Sequence, residues 1–127
     1  MTAENGDQGW DLREIVRKLR AFRDARDWSQ FHEPKDLAAA LAIEAGELQQ
    51  LFLWKRPDEI EAIVTSEDGR REIGAEIADV LTFAFYLADR LAIDVAGAIA
   101  AKLARNETRY PADEHRGVAD RTRRRGG

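Results

Sequence analysis

Four acidic side chains stand in two pairs that differ from ordinary surface charges. Glu44 and Glu47 form one pair, and Glu76 and Asp79 form the other. Each pair is spaced i,i+3, so its two carboxylates share one face of a helix. No Lys or Arg lies three or four residues from any of the four, and their neighbours are mostly apolar. Like charges in such surroundings need a compensating cation.

A shared divalent cation is the simplest compensation. The two pairs offer only oxygen ligands, which suit Mg²⁺, with Mn²⁺ as the alternative metal. Neither pair contains His, and the chain has no Cys, which argues against zinc. The other interpretation is that each pair lies on a solvated face or bonds to Arg residues of another helix. Two pairs of this kind, both inside apolar stretches, favour the metal site.

Cationic and aromatic residues form two further candidate sets. Lys102, Asn106 and Arg109 recur at i, i+4 and i+7 on one helical stripe, and Tyr110 follows them. Two cations, an amide and a phenol suit phosphate oxygens, although a solvated helix face paired with acids is the alternative. Aromatic residues flank the second predicted helix: Trp28, Phe31, His32 and Trp54. Such rings either stack on a nucleobase or serve as core or interface aromatics.

Helices must position these residues, because apolar side chains recur at spacings of three and four and no segment alternates like a strand. The predicted helices cover about 11–26, 35–53, 67–91 and 95–109, with a short helical stretch at 58–64. Ser66 and Asp94 are the predicted N-caps of the last two long helices. The run 80–87 is apolar almost all round, so we expect it to be buried on more than one side. The prediction is an all-α four-helix bundle subunit that covers its surplus apolar surface by assembling as a homo-oligomer.

Length and composition predict one domain and restrict its partners. The 127 residues divide into a flexible arm at 1–10, a domain at 11–113 and an Arg-rich tail at 114–127 that is expected to be disordered. The formal net charge of −4 combines +4 from residue 116 onward with −8 before it, and an acidic body argues against coating DNA. No apolar run approaches the length of a membrane span, and no signal peptide is evident. We therefore expect a cytoplasmic protein without a membrane partner.

The two acidic pairs resemble the E-x-x-E…E-x-x-D signature of the all-α nucleoside-triphosphate pyrophosphatases, the MazG-like group. The likeness extends to the segments 26–35, 44–48, 51–55 and 76–81, and to Lys102-x-x-x-Asn106-x-x-Arg109-Tyr110-Pro111. It covers roughly residues 11–113 in the correct order, and it is nearest to the dCTP pyrophosphatase branch.

This resemblance implies an oligomeric enzyme that converts a dCTP-type deoxynucleoside triphosphate and water into the monophosphate and pyrophosphate. It implies Mg²⁺ held by the four carboxylates, one of which, with Glu47 favoured, accepts the proton of the water that attacks the α-phosphorus. It implies base contacts from Trp28, His32 and Trp54. It implies phosphate contacts from Lys55, Lys102, Asn106, Arg109 and Tyr110.

Three other functions compete with this one. A neighbouring possibility is a broad-specificity or dUTP-preferring house-cleaning hydrolase. A catalytically silent helical binding module is a different class, and the intact set of four carboxylates speaks against it. Nucleic-acid binding through the arginines at 121–125 is the third, although a solvated terminus is the favoured interpretation of that run.

Overall fold

The computed structural model describes residues 11–119, and all regular structure in that range is helical. The helices are α1 (Leu12–Ala25), a 3-10 turn (Trp28–Phe31), α2 (Pro34–Gln50), α3 (Pro57–Thr65), α4 (Glu67–Arg90), α5 (Val95–Arg109) and the short α6 (Ala112–His115). The predicted all-α class and the predicted helices are confirmed, whereas the 3-10 turn and α6 were not predicted. The predicted arm and the last eight residues of the predicted tail lie outside the described residues.

Local chemistry explains where these helices begin. The Oγ of Ser66 accepts a hydrogen bond from the backbone N–H of Gly69 at 3.0 Å, which confirms the predicted cap of α4. Asp94 occupies the N-cap position of α5, as predicted. Pro34 stands in the first turn of α2, where its missing N–H costs nothing. Gly69 is required where α3 turns into α4, because a Cβ there would lie 2.1 Å from the carbonyl oxygen of Ile63.

The described chain divides into two compact units, the first ending at Ile93 and the second beginning at Asp94. In the first unit α2 and α4 pack along each other, and α1 and α3 also pack against α4. The hydroxyl of Tyr86 on α4 donates to the carbonyl of Leu19 on α1 at 2.8 Å. This arrangement makes α4 the central element of the first unit. The second unit contains α5 and α6.

A single chain buries little of its apolar surface. Among the described apolar residues only Leu37 and Tyr86 are buried. Within the run 80–87 Tyr86 is buried, Leu81 is 48% exposed and the other six residues are half-buried, so the predicted burial on more than one side is confirmed in part for one chain. Ile43 on α2 and Ile77 on α4 are also exposed. None of the helices in residues 11–119 is long and apolar enough to cross a membrane.

Candidate metal and nucleotide site

The packing of α2 along α4 brings three acidic side chains together. Glu44, Glu47 and Glu76 each offer a carboxylate oxygen, and these oxygens lie within 4.8 Å of one another. The i,i+3 spacing puts Glu44 and Glu47 on one face of α2, and the helix packing places Glu76 opposite them. Asp79 lies one turn further along α4 and is not a member of this group, although its charge acts on it. Three of the four predicted ligands therefore converge in the described chain.

The electrostatics of this cluster show carboxylates that lack a counter-charge. Burial raises the pKa of Glu44, and the hydrogen bond with Glu47 and the charges of Glu47, Asp79 and Glu76 raise it further. Burial likewise raises the pKa of Glu76, as do the charges of Glu47, Asp79 and Glu72, while a hydrogen bond with Glu44 acts in the opposite direction. A group whose pKa is raised by negative neighbours gains from a bound cation. Glu72, which acts on Glu76 from one turn away, was not singled out from the sequence.

Two oxygen atoms of this cluster have no partner in residues 11–119. The Oε2 atoms of Glu44 and Glu76 are both buried and accept no hydrogen bond there. A buried carboxylate oxygen without a donor or a cation is costly, so these atoms need a partner beyond those that residues 11–119 supply. The donor set is made of carboxylate oxygens alone. These residues therefore fit a hard divalent cation such as Mg²⁺.

Trp28 opens the 3-10 turn and holds its indole at the surface. The side chain is 45% exposed, and its ring meets the ring of Phe22 edge-on, with the centroids 5.7 Å apart. A half-exposed indole with one supported edge can stack on a flat ligand. Phe31, at the end of the same turn, is 64% exposed.

His32 lies inside the first unit rather than at its surface. It is 9% exposed, and its ring lies 4.8 Å from the ring of Tyr86. Burial lowers the pKa of His32, and the positive charge of Arg23 lowers it further, so both effects favour the neutral imidazole. Its Nδ1 has no hydrogen-bond partner among the described residues. In this chain, therefore, His32 contacts the core, and its predicted contact with a base stays a prediction.

Trp54 combines strong exposure with an unusual backbone. Its side chain is 92% exposed, and its φ of 61° places a bulky residue in the left-handed region. Such a conformation costs free energy and concentrates at functional sites. Lys55, which follows it, is also exposed.

The three predicted base contacts do not share one location in a single chain. Trp28 and His32 precede α2, and Trp54 follows it. With 17 residues, α2 is about 25 Å long. Ring contacts to one base extend over only a few ångströms, which is much less than the length of α2. Because Trp28 and Trp54 of one chain lie beyond opposite ends of this helix, they do not reach the same base.

The second unit carries the predicted phosphate contacts on α5 and just after it. Lys102 is exposed, Asn106 and Arg109 are half-buried, and the guanidinium of Arg109 lies 5.4 Å from the ring of Tyr110. A groove of about 350 Å³ adjoins this stripe. It is lined by Leu103, Asn106, Glu107, Tyr110, His115 and Val118.

His115 is a groove residue that sequence reasoning missed. Its ring meets that of Tyr110 edge-on, with the centroids 5.2 Å apart, and its Nε2 is buried without a hydrogen-bond partner among the described residues. No spacing signal pointed to it, because it stands on a four-residue helix that was not predicted.

Comparisons with known proteins find relatives of this chain. A sequence model of the MazG-like family matches residues 39–123. The chain is 39% identical over 107 residues to dCTP pyrophosphatase 1 of Bos taurus, which covers 84% of this chain and 63% of the relative. It is 41% identical over 100 residues to dCTP pyrophosphatase 1 of Homo sapiens, which covers 78% of this chain and 59% of the relative. The chain thus spans less than two thirds of the length of these curated relatives.

A solved structure is also similar. The crystal structure of a pyrophosphatase from Archaeoglobus fulgidus superposes with a TM-score of 0.71 and 39% sequence identity. The match covers 79% of this chain and 92% of that one.

Proposed function

The chain belongs to the MazG-like family, and we propose that it is a nucleotide pyrophosphohydrolase that converts a nucleoside triphosphate and water into the monophosphate and pyrophosphate. The observation that carries this proposal is the convergence of Glu44, Glu47 and Glu76, with two buried carboxylate oxygens that have no partner in residues 11–119. The relatives named dCTP pyrophosphatase 1 support dCTP as the preferred substrate.

Mg²⁺ is the proposed cofactor. Glu44, Glu47 and Glu76 hold it, and Asp79, whose charge acts on the same cluster, completes the acidic set. When bound, the metal supplies a counter-charge for the phosphate oxygens and activates water.

The residues of the chain perform the remaining steps of the proposed mechanism. Glu47 is the exposed member of the three converging carboxylates, which supports its role as the base that accepts a proton from the attacking water. The water attacks the α-phosphorus, the bond to the bridging oxygen breaks, and pyrophosphate leaves. Lys102 and Arg109 offset the charge of the triphosphate. Asn106, Tyr110 and Lys55 are assigned to the same phosphate set.

We assign the direct base contacts to Trp28 and Trp54, and an indirect contribution to His32. The exposure and backbone strain of Trp54 support a ligand on its indole, and the half-exposed ring of Trp28 supports a second stacking contact. Because α2 separates Trp28 from Trp54, a base that touches both indoles takes them from two copies of the chain. His32, which is buried, contributes by holding the end of the 3-10 turn against Tyr86.

A homo-oligomer follows from the same reasoning. One chain leaves Ile43, Ile77 and Leu81 exposed on α2 and α4. Only two of the described apolar residues are buried, which is a small core for a domain of this size. Ile77→Glu should lower the molar mass determined by sedimentation velocity towards that of the monomer. If the wild type sediments as a monomer at micromolar concentration, the oligomer proposal is wrong.

A substrate panel tests the proposed activity. Purified protein is incubated with each dNTP and Mg²⁺, and monophosphate and pyrophosphate are quantified; we expect dCTP to be consumed fastest. Preferential turnover of dUTP, or equal turnover of all substrates, would replace dCTP with the corresponding alternative. No release of pyrophosphate from any substrate would refute the enzyme, and binding without turnover would favour a silent binding module.

Matched variants then test the assigned residues. Glu47→Gln and Asp79→Asn should each reduce kcat/KM by orders of magnitude without unfolding the protein. Glu61→Gln is the control, because Glu61 is an exposed glutamate of α3 that has no role in the site. Full activity in both test variants would show that the metal assignment is wrong.

A further inference from the structure

Arg26 makes the closest cation–ring contact among the described residues, and it does so beside Trp28. Its guanidinium carbon lies 3.7 Å from the ring centroid of Phe22, which is face-to-face stacking distance. Its Nη1 donates a hydrogen bond to the carbonyl of Phe22 at 2.9 Å. The guanidinium is therefore held by two different interactions with one residue, four positions earlier in the chain.

The same guanidinium also approaches the indole. It lies 5.9 Å from the ring of Trp28, and the rings of Phe22 and Trp28 meet at 73°. Phe22 and Trp28 are each nearly half-exposed, so the protein covers only part of either ring. Arg26 therefore adds a contact to each of two rings that already meet edge-on.

The backbone around this cluster is shaped to hold Trp28 close to α1. Asp27 has a φ of 52°, which reverses the chain directly after α1. The side-chain amide of Gln30 donates to the carbonyl of Asp27 at 3.0 Å and to its carboxylate at 3.1 Å. The turn is thus braced by polar contacts, while the ring of Trp28 is braced by Phe22 and Arg26.

The geometry points to Arg26 as a positioning residue that fixes the Trp28 indole, through Phe22, in the orientation on which the base of the substrate stacks. This inference rests on the proposed function, because it assumes that Trp28 contacts the base. Arg26 itself does not touch the reacting atoms. Its loss should therefore weaken the binding of nucleotide and leave the chemical step intact.

Steady-state kinetics and NMR together test the inference. Arg26→Gln should raise KM for dCTP by about threefold to fivefold, the size of a cation–ring contact, with kcat changed by less than about twofold. The indole N–H resonance of Trp28, assigned by replacing each tryptophan with Phe, should shift, and that of Trp54 should stay in place. Arg26→Lys, which keeps the charge but loses the planar stack, should have a KM between that of Arg26→Gln and that of wild type.

Arg17→Gln is the matched control. Arg17 stands on α1, the helix that Arg26 follows as the C-cap, and pairs with Glu14, with no ring contact among the described residues, so its loss should leave KM and the Trp28 resonance unchanged. An unchanged KM in Arg26→Gln overturns the inference. So does a raised KM with an unmoved Trp28 resonance, because Arg26 would then act on the nucleotide directly.

Failure of the proposed function is distinguishable from failure of this inference. If the wild type hydrolyses no dNTP, the proposed function is wrong, and the inference is then tested by titrating wild type and Arg26→Gln with α,β-imido-dCTP and following the Trp28 resonance. Weaker binding of this probe to the variant, with the Trp28 shift described above, supports the positioning role. Equal affinities, or no response of Trp28 in the wild type, overturn it.

Discussion

Asp89 fastens α1 to α4, and replacing it with Asn should lower the free energy of unfolding by about 2 kcal/mol at pH 7. Its carboxylate accepts hydrogen bonds from Arg23, at 2.8 Å, and from Arg20. The Arg23 and Asp89 side chains are only 11% and 14% exposed, so water screens their pairing poorly. Arg20 is 53% exposed, and its bond contributes well below 1 kcal/mol. The expected loss of stability therefore arises mainly because Arg23 stays buried without the charged partner that Asp89 provides.

Asp24 offers a matched control on the same guanidinium. Its side chain accepts a hydrogen bond from Arg23 at 2.9 Å but is 59% exposed. The hydrogen bond with Asp24 is the largest cause of the raised pKa of Arg23, ahead of that with Asp89. We nevertheless expect Asp24→Asn to cost less than about 0.5 kcal/mol, because water replaces a partner at an exposed position.

The pH dependence of this pair has a definite sign. Burial acts to raise the pKa of Asp89, but the hydrogen bonds from Arg23 and Arg20 outweigh it, so the pKa lies below its usual range. A lowered pKa contributes stability above the pKa of the unfolded state, about 3.9, and loses it as pH falls through the lower folded value. The difference between wild type and Asp89→Asn should therefore be complete at pH 7 and shrink below about pH 4.

Urea titration measures the free energy of unfolding of both variants and of wild type. The protein concentrations must be equal, because the stability of an oligomer depends on concentration. A cost for Asp24→Asn equal to or larger than that for Asp89→Asn would refute the reasoning from burial. A difference that persists unchanged at pH 3 would refute the assignment to a charged Asp89.

Three other perturbations have defined outcomes. Ala92 has a φ of 55° at the end of α4, where the N–H of the next residue donates to the carbonyl of Ala88 at 2.8 Å. Ala92→Gly should therefore raise the free energy of unfolding, measured by urea titration, by about 0.5–1 kcal/mol. A lower free energy of unfolding in this variant would contradict the left-handed cap. Tyr86→Phe removes the hydrogen bond to the carbonyl of Leu19 and should cost about 1 kcal/mol by the same measurement, whereas an unchanged value would mean that α1 is held without it. Glu44→Gln removes one of the repelling carboxylates, so in EDTA the thermal unfolding midpoint of this variant should exceed that of wild type. Added Mg²⁺ should then raise the midpoint of the variant less than that of wild type. A larger Mg²⁺ response in the variant would show that Glu44 is not a ligand.

Much of the candidate site was predictable because its chemistry is local. The i,i+3 spacing alone puts the two carboxylates of each pair on one helical face, whatever the rest of the chain does. The stripe of Lys102, Asn106 and Arg109 and the cap at Ser66 are equally local, and the helices that carry them form where the periodicity predicted. His115 and Glu72 were missed, because their importance arises from contacts that no single-helix pattern encodes.

The sequence by itself determined which faces of which helices carry acid, cation and ring, because side-chain direction in a helix repeats every 3.6 residues. Only the tertiary structure decided that Glu44, Glu47 and Glu76 meet while Asp79 stands one turn aside, since the register of α2 on α4 depends on how their side chains interlock. It also decided that His32 faces Tyr86. Such distances between elements are set by packing, which periodicity within one element does not encode.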